Sequence, residues 1–165
     1  MSGVSAPMIL GFADRRDASG RYPVSDETGS VVASIEKLFA RNQFVAYDGA
    51  GGLLGQGGLR VLGPWQAVDA AGNLLVKISR GAFGQHSVVL GDGWRGSLRG
   101  RLFSRDWRVE DGAGAVAISA VPHRAGWIFA PDDWLVQSTL GLPETVALVE
   151  LHRLDLKRKR RQSAG

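Results

Sequence analysis

The sequence predicts an all-β domain with one helix at its centre: a closed antiparallel barrel of about twelve strands enclosing a C-terminal hydrophobic α-helix. Two observations predict a closed barrel and a third predicts its filling. A four-residue signal, Asp-x-x-Gly, recurs along the chain, each time followed by an apolar run. Those runs alternate apolar and polar residues with period two, as strands with one dry and one wet face do. Near the end, the stretch beginning at Pro143 is apolar nearly all round, which asks to be surrounded rather than laid on a surface.

Taken in order, residues 1–8 are small and polar and read as a flexible end. The turn signal then appears at Asp17–Gly20, Asp26–Gly29, Asp48–Gly51, Asp69–Gly72 and Asp111–Gly114. Asp closes such a turn with its own side chain, and Gly supplies the positive φ a short hairpin needs. Asp26 to Asp48 is 22 residues, Asp48 to Asp69 is 21, and Asp69 to Asp111 is 42. The long gap has room for one more hairpin, and Gly91-Asp92-Gly93 falls near its middle, so the chain is a hairpin repeat. Steps of two from Gly29 give Val31, Ala33 and Ile35; from Gly72, Leu74, Val76 and Ile78; from Gly114, Val116, Ile118 and Ala120. Each set is expected to face the interior. The strands entering the turns are aromatic or β-branched, as in Phe44–Tyr47, Trp65–Val68 and Trp107–Val109.

The helix is expected over 143–156, with no start before Gly141. Pro143 suits a first helical turn, and Glu144 suits the positive end of the dipole. A barrel wider than about eight strands cannot fill itself with side chains, and this helix is the apolar segment able to plug it. The domain is therefore expected over residues 9–156, followed by a basic tail over 157–165.

The chain of 165 residues is long enough for one domain with a real core. With no Cys there are neither disulfides nor a thiolate zinc site. Nothing resembles a signal peptide, and no apolar segment approaches the roughly 20 residues that span a bilayer. The expectation is a cytoplasmic protein, peripheral at a membrane if it meets one. The net charge of +4 is local: without the five cations of 157–161, 15 basic residues (20 − 5) face 16 acidic ones.

Tyr22–Gly29, the recurring Asp-x-x-Gly hairpins, and Trp127-Ile128-Phe129 leading through Asp132-Asp133 to an apolar helix with a basic finish resemble the LURF-one-related family. That family shares the tubby C-terminal-like fold with tubby proteins and phospholipid scramblases. The resemblance covers Ile9 to Arg161 and implies a twelve-stranded barrel around a central hydrophobic helix. Tubby proteins bind phosphoinositide headgroups on the outside of the barrel through basic residues. Scramblases carry a cysteine-rich segment and a longer apolar C-terminal helix; this chain has no Cys, and its helix holds Glu150, His152, Arg153 and Asp155, so scrambling is not implied.

Two sites follow from the residues. In Trp94–Arg105, alternation places Arg95, Arg99, Arg101 and Arg105 on one face and Leu98 and Leu102 on the other. Guanidinium groups so arranged can hold phosphates bidentately, although the same pattern suits a solvated outer face. The second is Lys157, Arg158, Lys159, Arg160 and Arg161, able to meet an anionic membrane or nucleic acid, or simply to complement the helix dipole. The alternatives to a lipid-binding barrel are an adaptor for nucleic acid or protein that uses the basic tail, with Trp94, Phe103 and Trp107 near the arginines, and a scaffold domain whose ligand lies in surface loops.

No enzyme, metal or cofactor is expected. His86, His123 and His152 lack metal-ligand spacing. Asp132-Asp133 reads as a turn, and Glu150, His152 and Asp155 mark where the helix leaves the barrel. The Gly-rich run 49–58 resembles a phosphate loop only in composition.

Overall fold

The structure of the protein, a computed structural model, describes residues 6–59, 64–81, 85–100, 105–122 and 133–165, apart from the side chain of Phe39. Twelve strands close into an antiparallel barrel. The first six are β1 Met8–Phe12, β2 Tyr22–Ser25, β3 Val31–Leu38, β4 Gln43–Asp48, β5 Leu53–Leu59 and β6 Trp65–Val68. The rest are β7 Leu74–Arg80, β8 His86–Leu90, β9 Arg95–Gly100, β10 Trp107–Asp111, β11 Val116–Pro122 and β12 Trp134–Ser138. Each strand pairs with its neighbours in sequence, and β1 closes the ring on β12 with Met8 opposite Ser138 and Phe12 opposite Trp134. Closure leaves no sheet edge exposed.

One end of the barrel is made of tight hairpin turns. At Asp26, Asp48, Asp69 and Asp111 the carboxylate Oδ1 accepts the backbone N–H groups two and four residues on, at 2.8–3.1 Å. The glycine closing each turn has a φ of 83° to 88°, a region a side chain resists. The β8–β9 turn has the same backbone, with Gly93 at φ 93° donating to Leu90 O at 3.0 Å. There Leu90 stands where the others have Asp, which is why this hairpin lacks the motif. The Asp17–Gly20 turn lies at the opposite end, inside the β1–β2 connection. Asp69→Ala, which removes both carboxylate bonds while leaving the backbone turn, is expected to cost about 1 kcal/mol. Urea unfolding measures it; a loss below roughly 0.3 kcal/mol would mean the backbone closes the turn unaided.

The expected parity needs one correction. Val31 and Val116 are exposed, at 52% and 48%, while Ala33, Ile35, Ile118 and Ala120 are buried. The register shifts after the turn in four hairpins, so that Val32, Leu54, Leu75 and Ala117 are each skipped in the ladder. Each lies three residues past its glycine. A bulge of this kind sets two residues against one, so the residue before it faces out and those after it face in. Repeated bulges also add the twist and coil that a narrow closed barrel needs.

The helix α1 runs over Leu142–Ser163, with Gly141 at its N-cap and Pro143 in its first turn. Thr145 Oγ1 donates to Gly141 O at 2.8 Å, and its hydroxyl lies 2.7 Å from Ser138 Oγ, tying the helix start to β12. Every residue from Thr145 to Asp155 is buried, so the helix fills the barrel. It packs most closely against β4–β7. On that wall small inward residues, Ala46, Gly55, Gly57 and Ala67, alternate with large ones, among them Phe44, Trp65, Val76 and Ile78. A Cβ on Gly57 would meet Gln66 O and Ala67 Cα within 3 Å. The Gly-rich run is thus half turn and half strand, its glycines spent on backbone approach. The opposite wall carries Phe12, Trp107, Ile118 and Trp134 inward. Beyond 156 the helix continues, so the expected basic tail is helical through Ser163.

Candidate functional site

On the outer wall, β9 presents Arg95 and Arg99 to solvent while Leu98, 1% exposed, packs inside. Arg108 of β10 lies directly across from Arg99 in the ladder. With the Gln85 amide oxygen turned toward it, Arg99 donates from Nε at 2.9 Å and from Nη2 at 2.6 Å. Arg108 Nε pairs with Glu110 at 2.6 Å. Beside them runs a groove of about 450 Å³, with Arg99 and Arg108 on one flank and Val116, Ser119 and Val121 on the other. Arg101 lies outside the described residues. Arg105 is not on the strand as expected: β9 ends at Gly100, and Arg105 lies at the barrel mouth beside Lys159 and Arg160.

The helix leaves the barrel at that same mouth. Lys157 reaches Asp14 at 3.8 Å, and Lys159 holds Asp155, one turn earlier, at 2.8 Å. Arg158 is half-buried, while Arg160 and Arg161 are exposed. Cations in a last helical turn complement the dipole there, and Lys157 and Lys159 also neutralise carboxylates within the mouth.

The sequence reading missed the ionic cluster inside. Lys37 follows Ala33 and Ile35 on the inward face of β3, so its side chain enters the barrel, 1% exposed. Its Nζ lies 3.7 Å from Glu150 Oε2, 3.8 Å from Asp14 and 3.9 Å from the centre of the Tyr22 ring. Glu150 Oε1 accepts from Arg153 Nη1 at 3.2 Å, and Arg153 Nη2 lies 3.6 Å from Asp14. Burial pushes the Lys37 ammonium down to about 8, with Glu150 pulling the other way. The parity of Ala33, Ile35 and Lys37 was the signal that could have found this residue.

Farther round the mouth, Asp155 accepts from Trp65 Nε1 at 3.2 Å and faces Arg80 at 3.8 Å. His152 packs edge-on against Trp107, ring centres 4.8 Å apart, and Trp107 against Trp134 at 6.2 Å. Burial holds His152 down at about 3 and lowers His86 as well, so both rings are neutral near pH 7. Glu150, His152 and Asp155 therefore take separate partners and form no acid–base triad. Asp133 Oδ1 accepts from the Asp14 backbone N–H at 2.8 Å, fastening one loop to another; Asp132 and His123 lie outside the described residues. Among the described residues no three His, Asp or Glu side chains gather as metal ligands.

The X-ray structure of a protein from Arabidopsis thaliana superposes on this barrel with a TM-score of 0.62 at 20% identity, covering 93% of this chain and 92% of that one. What they share is the fold. No protein-family model and no curated protein matches the chain. No helix among the described residues is long and apolar enough to cross a membrane. Trp107 is 3% exposed and faces the interior, so it offers no stacking surface beside the outer arginines; Phe103 lies outside the described residues.

Proposed function

We propose that the chain is a non-catalytic, tubby-like barrel of the LURF-one-related kind that binds anionic phospholipid headgroups, phosphoinositides among them, at a membrane surface. One observation carries this reading: Arg95, Arg99 and Arg108 stand on one stretch of outer wall, and the groove beside them has apolar Val116 and Val121 on its other flank. Guanidinium forks grip phosphate oxygens in pairs, while an apolar flank suits the glycerol side of a headgroup. Arg158 and Arg161, on the part of the helix beyond the barrel core, add positive charge. Near an anionic surface each cation contributes about 1 kcal/mol, lost within a Debye length as salt rises. Association would be peripheral and salt-sensitive.

Vesicle co-sedimentation tests it. Binding to vesicles containing phosphatidylinositol bisphosphate and not to phosphatidylcholine is expected at ~0.1 M salt. The double variant Arg95→Ala/Arg99→Ala should lower affinity by roughly tenfold or more. Equal sedimentation with both vesicle types, or an unchanged affinity in the double variant, removes the proposal.

A further inference from the structure

Beside the helix, on the side of β8–β10 and β12, the mouth of the barrel holds a cavity of about 300 Å³. Leu98, Trp134 and Leu156 give it an apolar wall. His86 and Trp107, the first residues of β8 and β10, also line it, and they are 8% and 3% exposed. Each carries a polar atom with no hydrogen-bond partner among the described residues, His86 Nδ1 and Trp107 Nε1. A buried polar atom in that condition is costly, and two around one hollow mark a place that something else completes. The rim is charged: among the described residues Arg105, Lys159, Arg160 and Asp106 line it, and Lys159 also holds Asp155 at 2.8 Å. Arg105, Lys159 and Arg160 are exposed, so the hollow opens to solvent.

We propose that this cavity binds a small organic anion, its acid group meeting the basic rim and the Trp107 indole N–H, its apolar body lying on Leu98, Trp134 and Leu156. The size sets the class. Ligand sites run from about 300 to 1,000 Å³, so this one takes a single short molecule and not a two-chained lipid. An acid group alone would leave the apolar wall wet, and an apolar body alone would leave the Trp107 N–H without an acceptor. A monocarboxylate on an aliphatic or aromatic body satisfies both. The inference does not rest on the vesicle reading, which uses the outer wall.

Octanoate and naphthoate are the probes, titrated into the full chain while the Trp107 indole N–H resonance is followed by proton–nitrogen correlation spectra. At least one should shift it saturably, with octanol and inorganic phosphate, each lacking one half of the ligand, binding at least about tenfold more weakly. Arg105→Gln and Arg160→Gln, both at the exposed rim where the fold tolerates change, should each weaken the carboxylate several-fold. Trp107→Phe, which keeps the ring and removes the donor, should do the same and also identifies the resonance. No saturable shift with either carboxylate to ~10 mM, phosphate binding as well as they do, or unchanged affinity in both rim variants would overturn the proposal. A failure of vesicle binding leaves these results untouched, and the reverse holds.

Discussion

Glu150→Ala is expected to lower stability by about 3–5 kcal/mol, because it strips the buried anion from between two cations. Lys37 and Arg153 reach Glu150 at 3.7 and 3.2 Å, and the Glu150 side chain is wholly buried. Without it, Lys37 keeps the Tyr22 ring and a share of Asp14, which already serves Arg153 and Lys157. Lys37 Nζ also has no hydrogen bond, so the loss of charge compensation is not made up by neighbours. The double variant Lys37→Met/Glu150→Leu should recover most of the loss, since apolar groups of similar volume fill the space and Arg153 still has Asp14. Urea midpoints at constant slope give each value, and the cycle of single and double variants isolates the pair. A Glu150→Ala protein within about 0.5 kcal/mol of the parent would show that water reaches this cluster and screens it.

That cluster also marks where sequence reasoning stopped. The repeat of Asp-x-x-Gly turns, the barrel and its plugging helix were legible because each follows from a local rule: Gly at positive φ, period-two alternation, an apolar face on every side. The bulges were not, since Val32, Leu54, Leu75 and Ala117 look like any strand residue, and a bulge is a property of the pair. Missing them turned Val31 and Val116 inward by one step of parity. The inner charges were hidden for another reason. Glu150, His152 and Asp155 read as the point where the helix leaves the barrel, because a lone helix shows its own charges and not the Lys37, Trp65 and Arg80 that meet them across the barrel. For the candidate surface, the outward alternation of Arg95 and Arg99 was legible. The placement of Arg105 at the mouth was not, because the end of β9 at Gly100 has no signal that alternation can see.

Acid should begin to destabilise this protein near pH 6.5, well above the pH at which carboxylates titrate, and His152 is the cause. Its ring is held at about 3 chiefly by burial, with His86 and Lys159 pushing the same way and Asp155 opposing. In the unfolded chain the ring takes a proton near 6.5. Between those values the unfolded state binds a proton that the folded state refuses, so stability rises with pH across the window and falls as acid is added. At about 1.4 kcal/mol per pH unit, the loss on reaching pH 3 is about 5 kcal/mol, a large part of the 5–15 kcal/mol typical of a domain. His86, also lowered by burial, adds loss of the same sign beginning at the same pH. Asp155, whose carboxyl is held below its ordinary value by Lys159 and Trp65 against the effect of burial, loses its contribution only at lower pH. His152→Phe keeps a ring against Trp107 and removes the titration. Urea unfolding at intervals from pH 7 to pH 4 should therefore give a steep decline for the parent and a shallow one, owed to His86, for the variant. Parallel declines would mean that His152 takes its proton in the folded barrel, and that water reaches the ring.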